Sequence, residues 1–185
     1  MRKDKKYKGY IIGNRIYVPD IDQSREIWSL GFYGKPLGVP KPKSPDFDSP
    51  LLLDFLEAVY LYEKDLLEIY NMESNKELNY DELIKIASER YDDFKNKYIV
   101  YKDLRDRGLV VISGLKFGVD FAVYRKGPGL EHAPYLVDVI SPNTHISGDE
   151  LVRAGRLATS VRKRFVLAIV YDKKVRYLLF KWFKP

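Results

Sequence analysis

Along the first hundred positions the apolar residues recur mainly three and four apart, and after Gly108 they recur two apart. Tyr10-Ile11-Ile12 and Ile16-Tyr17-Val18 flank a Gly13-Asn14 turn, which predicts two short strands. From Gly31 to Pro50 glycine and proline are frequent, as in Tyr33-Gly34-Lys35-Pro36 and Pro40-Lys41-Pro42-Lys43. That composition predicts a loop stiffened by its prolines. Ser49-Pro50 then reads as a helix start, with Ser as N-cap and Pro at the first helical position. Leu52, Phe55, Val59, Tyr62 and Leu66 follow at helical spacing. Asn79-Tyr80-Asp81-Glu82 has the form of a capping box, and Leu83, Ile84, Ala87 and Tyr91 supply the buried stripe of its helix. A third helix is predicted from about Phe94 to Arg107, stopped by Gly108.

Beyond Gly108 the alternation of Phe117, Val119, Phe121 and Val123 with Gly118, Asp120, Ala122 and Tyr124 predicts a strand, with Asp120 and Tyr124 on one face. Gly127-Pro128-Gly129 marks a loop that carries His132. Tyr135 to Ile140 is an apolar strand. Ser147-Gly148-Asp149-Glu150 is another capping box, opening a helix that runs to about Lys163 with Leu151, Ala154, Ala158 and Val161 as its buried stripe. Phe165 to Tyr171 and Val175 to Trp182 are two strands around the Asp172-Lys173-Lys174 turn. The fold class is therefore α+β. A small helix-rich N-terminal α/β domain (1–93) precedes a C-terminal domain (94–185) with a mixed sheet flanked by helices.

Composition narrows the chemistry. The 185 residues contain no cysteine, which excludes a disulfide scaffold, a thiolate metal site and a cysteine nucleophile. With two histidines, His132 and His145, a multi-histidine zinc site is excluded as well. No run of about 20 apolar residues exists, so no membrane span is expected. The charged opening, Met1 to Lys6, is followed by no apolar segment of the secretory type, and a cytoplasmic location is expected. The formal charge of +6 is unevenly spread. Residues 1–100 hold 16 basic and 18 acidic side chains, net −2, whereas residues 101–185 hold 16 and 8, net +8. A basic, aromatic-rich half points to a polyanion. The same surplus is met by a lysine-rich solvated surface of the kind common in proteins from hot environments.

Several positions could carry chemistry. On the predicted helix from Gly148, Arg156, Ser160 and Lys163 fall at i, i+4 and i+7, so Arg156 and Lys163 share a face about 10 Å apart along the axis. A solvated basic face explains that pattern equally, and Lys163 also complements the helix dipole. His132 stands in a loop between strands, where catalytic groups are often mounted. His145 has no supporting pattern. Asp120 and Asp138 lie on successive strands, the minimum for a Mg²⁺ nuclease, but Val137-Asp138-Val139-Ile140 lacks a lysine two residues on.

Gly118-Val119-Asp120-Phe121-Ala122-Val123-Tyr124, Gly127-Pro128, Glu131-His132-Ala133-Pro134-Tyr135-Leu136-Val137 and Gly155-Arg156-Leu157-Ala158-Thr159-Ser160-Val161-Arg162-Lys163 together resemble the catalytic region of archaeal tRNA-splicing endonucleases. The similarity is strong over 115–185 and weaker in the N-terminal half, where Gly31-Phe32-Tyr33-Gly34 matches. The resemblance implies a restriction-endonuclease-like nuclease fold. It also implies metal-free cutting of precursor tRNA at bulge-helix-bulge splice sites, leaving 2′,3′-cyclic phosphate and 5′-hydroxyl ends and needing no cofactor. It casts Tyr124 as general base toward the 2′-hydroxyl, His132 as general acid toward the leaving 5′-oxygen, and Lys163 as the charge that stabilises the transition state. It further implies that Arg156 and Trp182 clamp a flipped bulge base from the opposing subunit.

The side-chain chemistry suits those roles. RNA brings its own nucleophile. An imidazole of ordinary pKa ~6.5 can donate a proton near neutrality, and an ammonium of ordinary pKa ~10.4 stays charged. A phenol of ordinary pKa ~10 is a poor base at pH 7 unless cations lower it. Lys163 and nearby arginines are the candidates to do so, and orienting the 2′-hydroxyl is the alternative role. A base between Arg and Trp gains on the order of 1–3 kcal/mol.

A substrate with two cut sites needs two active units at fixed spacing. The resemblance implies a homotetramer or an α2β2 heterotetramer with a non-catalytic structural subunit, and the loop region favours the heterotetramer. The competing readings are a non-catalytic RNA-binding module and a Mg-dependent nuclease built on Asp120 and Asp138.

Overall fold

The protein is described by a computed structural model over residues 6–160 and 163–180. The chain divides into two compact units, Met1–Phe94 and Lys95–Pro185.

The first unit holds a five-stranded sheet. Strands β1 (Tyr7–Ile12) and β2 (Arg15–Val18) pair antiparallel around Gly13-Asn14, as the alternation predicts. A helix that the apolar spacing does not announce, α1 (Ile21–Gly31), follows. Asp20 caps it by accepting the Gln23 N–H at 2.8 Å, and Ile27 and Trp28 bury its inner side. Two short strands, β3 (Lys35–Pro36) and β4 (Leu51–Leu53), lie at either end of the Pro-rich loop. They extend the sheet in the order β3-β4-β2-β1-β5, with β5 (Leu67–Asn71) parallel to β1. Gly34 is required where this loop meets the sheet. Its φ is +74°, and an added Cβ would come within 2.7–2.9 Å of Leu53, Leu51 and the Leu52 carbonyl.

The predicted helix start at Ser49-Pro50 is displaced. Residues 51–53 form strand β4 against β2, and the helix α2 (Phe55–Glu63) begins only after Asp54. Asp54 and Glu57 form a reciprocal capping box, which completes the helix N-terminus more fully than Ser49 could. Leu51-Leu52-Leu53 fits either period by itself, and the open edge of β2 decides in favour of the strand. In α3 (Tyr80–Arg90) the Asn79–Glu82 capping box forms as read, and Leu83 and Ala87 are buried.

The second unit opens with α4 (Phe94–Asp106), which ends before Gly108 at a φ of +78°. Its sheet runs β10-β9-β8-β7-β6. The strands are β6 (Val110–Ser113), β7 (Phe121–Tyr124), β8 (Tyr135–Ile140), β9 (Arg164–Tyr171) and β10 (Lys174–Phe180). Strands β8 and β9 are parallel and the other pairs antiparallel, with α5 (Gly148–Ser160) making the crossover. This is the mixed sheet flanked by helices that the pattern implies. Two details differ. Strand β6 was not among the predicted elements. The long strand predicted from Phe117 is interrupted, because Leu115–Phe117 forms a 3-10 turn closed by Gly118 in the left-handed region, leaving four residues of β7.

Val119, Ala122, Leu136, Phe165 and Leu167 form the core on one face of this sheet, and Leu151 and Ala154 of α5 pack against it. On the other face Phe121 meets Tyr101 of α4 with ring centroids 6.1 Å apart.

Candidate active site

Tyr124 ends β7, and its ring is half-buried against the core beneath α5. The chain then turns through Arg125–Pro134 before β8. Glu131 shapes that turn: its carboxylate accepts the backbone N–H groups of Arg125 and Lys126, the latter at 2.6 Å. These backbone donors, Lys126 foremost, hold the Glu131 carboxyl below the usual range. Gly127 and Gly129, with φ of +130° and +85°, let the loop close. His132 emerges exposed, and the next residue, Ala133, is buried.

Lys163 stands directly before β9 and outside any helix, so the reading of the α5 helix as running to Lys163 is corrected. The Arg164 N–H donates to the Pro134 carbonyl at 2.9 Å and Arg164 pairs with Tyr135, which requires extended backbone there. The i, i+7 helical spacing from Arg156 therefore does not describe Lys163. The side chain is placed by other contacts. Its Nζ donates to the Ala133 carbonyl at 2.9 Å and lies 5.2 Å from the centre of the Phe117 ring. Lys116 approaches the same ring at 5.9 Å. Burial, reinforced by the charge of Lys116, pushes the Lys163 ammonium below the ordinary lysine range.

Register brings the three residues to one end of the sheet. Val123 pairs with Tyr135 and Tyr135 with Arg164, so Tyr124 and Lys163 adjoin the same cross-strand row, two strands or about 10 Å apart. The β7–β8 loop between them carries His132. One electrostatic expectation is reversed. The Tyr124 phenol is not lowered by cations; burial and the facing charge of Glu131 push it up.

Arg156 is exposed on α5. Trp182 and Val161 lie outside the described residues. His145 is exposed in the segment before α5.

Over 180 residues the chain is 49% identical to a tRNA-splicing endonuclease of Hyperthermus butylicus, an alignment covering 96% of this chain and 99% of the relative. Proteins of the same description from Saccharolobus islandicus and Saccharolobus solfataricus are 45% and 44% identical, each over 96% of this chain and 98% of theirs. The chain belongs to the tRNA intron endonuclease family. The family model described as the tRNA intron endonuclease catalytic C-terminal domain matches residues 94–177, and the model of the N-terminal domain matches residues 7–84.

Within the tRNA intron endonuclease catalytic domain the two carboxylates considered as a Mg²⁺ pair are engaged elsewhere. Asp138 accepts the Asp120 N–H at 3.0 Å, Asp120 accepts the Val139 N–H at 2.8 Å, and Lys97 of α4 lies 3.0 Å from Asp120. They latch the entry of β7 to β8. Burial raises the Asp138 carboxyl, against the hydrogen bond from the Asp120 N–H, which lowers it. Among the described residues no three His, Asp, Glu or Cys side chains gather as a metal would need. Asp120→Asn is expected to lower unfolding free energy by about 1–3 kcal/mol, the cost of weakening charge-assisted hydrogen bonds. A urea melt checks this, and parent-like stability would remove the latch.

Sequence reasoning passed over Glu131, Lys116 and Phe117. Glu131 works through backbone N–H groups, which no side-chain spacing reveals. Its place beside His132 in a Gly-Pro-Gly loop is the one signal the sequence offered.

Proposed function

We propose that this chain excises introns from precursor tRNA at bulge-helix-bulge sites by metal-independent transesterification. The 2′-oxygen attacks the adjacent phosphorus, the P–O5′ bond breaks, and a 2′,3′-cyclic phosphate and a 5′-hydroxyl result. His132, exposed at the loop, donates the proton to the departing 5′-oxygen. Lys163 meets the charge that builds on the non-bridging oxygens. Tyr124, whose phenol is pushed up by burial and Glu131, orients the 2′-hydroxyl as a neutral hydrogen-bonding partner, and the proton leaves to solvent as the new bond forms. What carries this reading is the tie from the Lys163 ammonium to the carbonyl of Ala133, which couples the cation to the segment bearing His132. Arg156, exposed on α5, and Trp182 serve as the clamp on a bulge base. The chain takes the catalytic place in an α2β2 assembly, a homotetramer being the alternative.

Incubation of the chain, alone and with a structural subunit, with intron-bearing precursor tRNA in EDTA tests the chemistry, and gel filtration of the same samples tests the assembly. Cyclic phosphate ends formed in EDTA are expected, and Asp120→Asn is expected to keep that activity. Binding without cutting, or cutting abolished by EDTA, would sink the proposal. A tetramer that cuts without a partner would overturn the heterotetramer.

A further inference from the structure

Beside the three site residues lies a cationic cluster with no part in that chemistry. Arg125 directly follows Tyr124, and Arg164 directly follows Lys163. Both guanidinium groups close on one ring: their Cζ atoms lie 5.8 Å and 5.9 Å from the centre of Tyr135, and Nη2 of Arg125 donates to the phenol oxygen at 2.9 Å. Both arginines are exposed. Among the described residues neither forms an ion pair with a carboxylate, whereas Arg25 and Arg107 do. The hydrogen bond from Arg125 and the added charge of Arg164 hold the Tyr135 phenol below the ordinary range, as a site of positive potential does.

Two guanidinium groups gathered on a phenol without a counter-charge repel each other and leave their remaining donors to water. A phosphodiester anion satisfies both deficits, since each planar fork matches two phosphate oxygens. Position specifies which phosphate. Tyr135 pairs with Arg164 and with Val123, so the cluster occupies the same end of the sheet as Tyr124 and Lys163, one residue along the chain from each. Tyr124 packs toward the core beneath α5, and the row of Val123, Tyr135 and Arg164 faces the other way, because successive strand residues point to opposite faces. An RNA strand passing over the strand ends meets the reactive residues on one side and the arginines on the other.

We propose that Arg125, Tyr135 and Arg164 form a second phosphate subsite, which holds an RNA phosphodiester flanking the one that is cut. This rests on the reading of the chain as an RNA endonuclease. The subsite is a binding device: it orients the strand and takes no part in bond breaking.

The test compares the parent with Arg125→Gln, Arg164→Gln and the double variant, each in the assembly that cuts. Dissociation constants for intron-bearing precursor tRNA are measured between 50 and 200 mM salt, with the cleavage rate at saturating protein alongside. Each substitution is expected to weaken binding several-fold and to reduce the slope of log affinity against log salt by about 0.7–0.9, the contribution of one phosphate contact. The saturated cleavage rate is expected to stay within about twofold. If Arg125→Gln fails to fold for want of its bond to Tyr135, Arg164→Gln alone decides. Parent-like affinity and salt slope in the double variant would overturn the subsite. So would weaker binding accompanied by a smaller particle on gel filtration, which would assign the cluster to a subunit contact. A parent protein that binds but never cuts, with the salt slope still reduced in the variants, would reject the endonuclease reading and keep the phosphate site.

Discussion

Replacing His132 with alanine is expected to slow cleavage of intron-bearing precursor tRNA by about 10²–10⁴-fold, the usual worth of a positioned general acid. His132 is exposed, and the anchors of its loop are other residues: buried Ala133, the Glu131 carboxylate and the two glycines. The variant should therefore melt like the parent and bind substrate with little change, so the loss falls on the rate at saturation. A chemical control separates proton donation from mere placement. When sulfur replaces the bridging 5′-oxygen, the leaving thiolate needs no proton, and His132→Ala should cut that substrate at nearly the parent rate. An equal deficit on both substrates would remove the acid role, and parent-like cutting of the oxygen substrate would remove His132 from the site.

Lys163→Ala is expected to cost about 10²–10³-fold in cleavage rate, comparable to deleting one donor aimed at transition-state charge. The bond to the Ala133 carbonyl is lost as well, about 1 kcal/mol of local stability. The pH dependence gives an independent readout. Burial and Lys116 disfavour the charged form of Lys163, so its proton departs at a lower pH than from an ordinary lysine. On the 5′-sulfur substrate, which needs no proton from His132, the rate should therefore fall on the alkaline side earlier than an unperturbed lysine would dictate. Lys116→Gln removes a like charge and should move that fall to higher pH. If the alkaline limb ignores Lys116, Lys163 is not the group that sets it. A rate that instead climbs steadily into the alkaline range would restore Tyr124 as a phenolate base, against the upward push on its phenol.

Much of the fold was legible because short-range chemistry decides it. The hairpin at Gly13-Asn14 and the capping box at Asn79–Glu82 formed where read. So did the capping box at Ser147–Glu150 and strand β8. These elements carry their own turn, cap or alternation. The misreadings have separate causes. Leu51–Leu53 became β4 because β2 presented an edge. Helix α1 hid because its buried side consists of Ser24, Ile27 and Trp28. The strand read from Phe117 was shortened because a left-handed Gly118 turns the chain first.

The sequence by itself determined the family, the α+β class and which side chains are candidates for chemistry, since residue types and their spacing are local properties. Tertiary structure alone decided how those candidates are held. Cross-strand register set Tyr124 and Lys163 at one sheet end, and pairing of Arg164 with Tyr135 drew Lys163 off the helix and onto the Ala133 carbonyl. It set Glu131 where its charge pushes the Tyr124 phenol up, and it gathered Arg125 and Arg164 on one ring. Potentials and hydrogen bonds depend on distance through space, and residues 39 positions apart become neighbours only when the strands align.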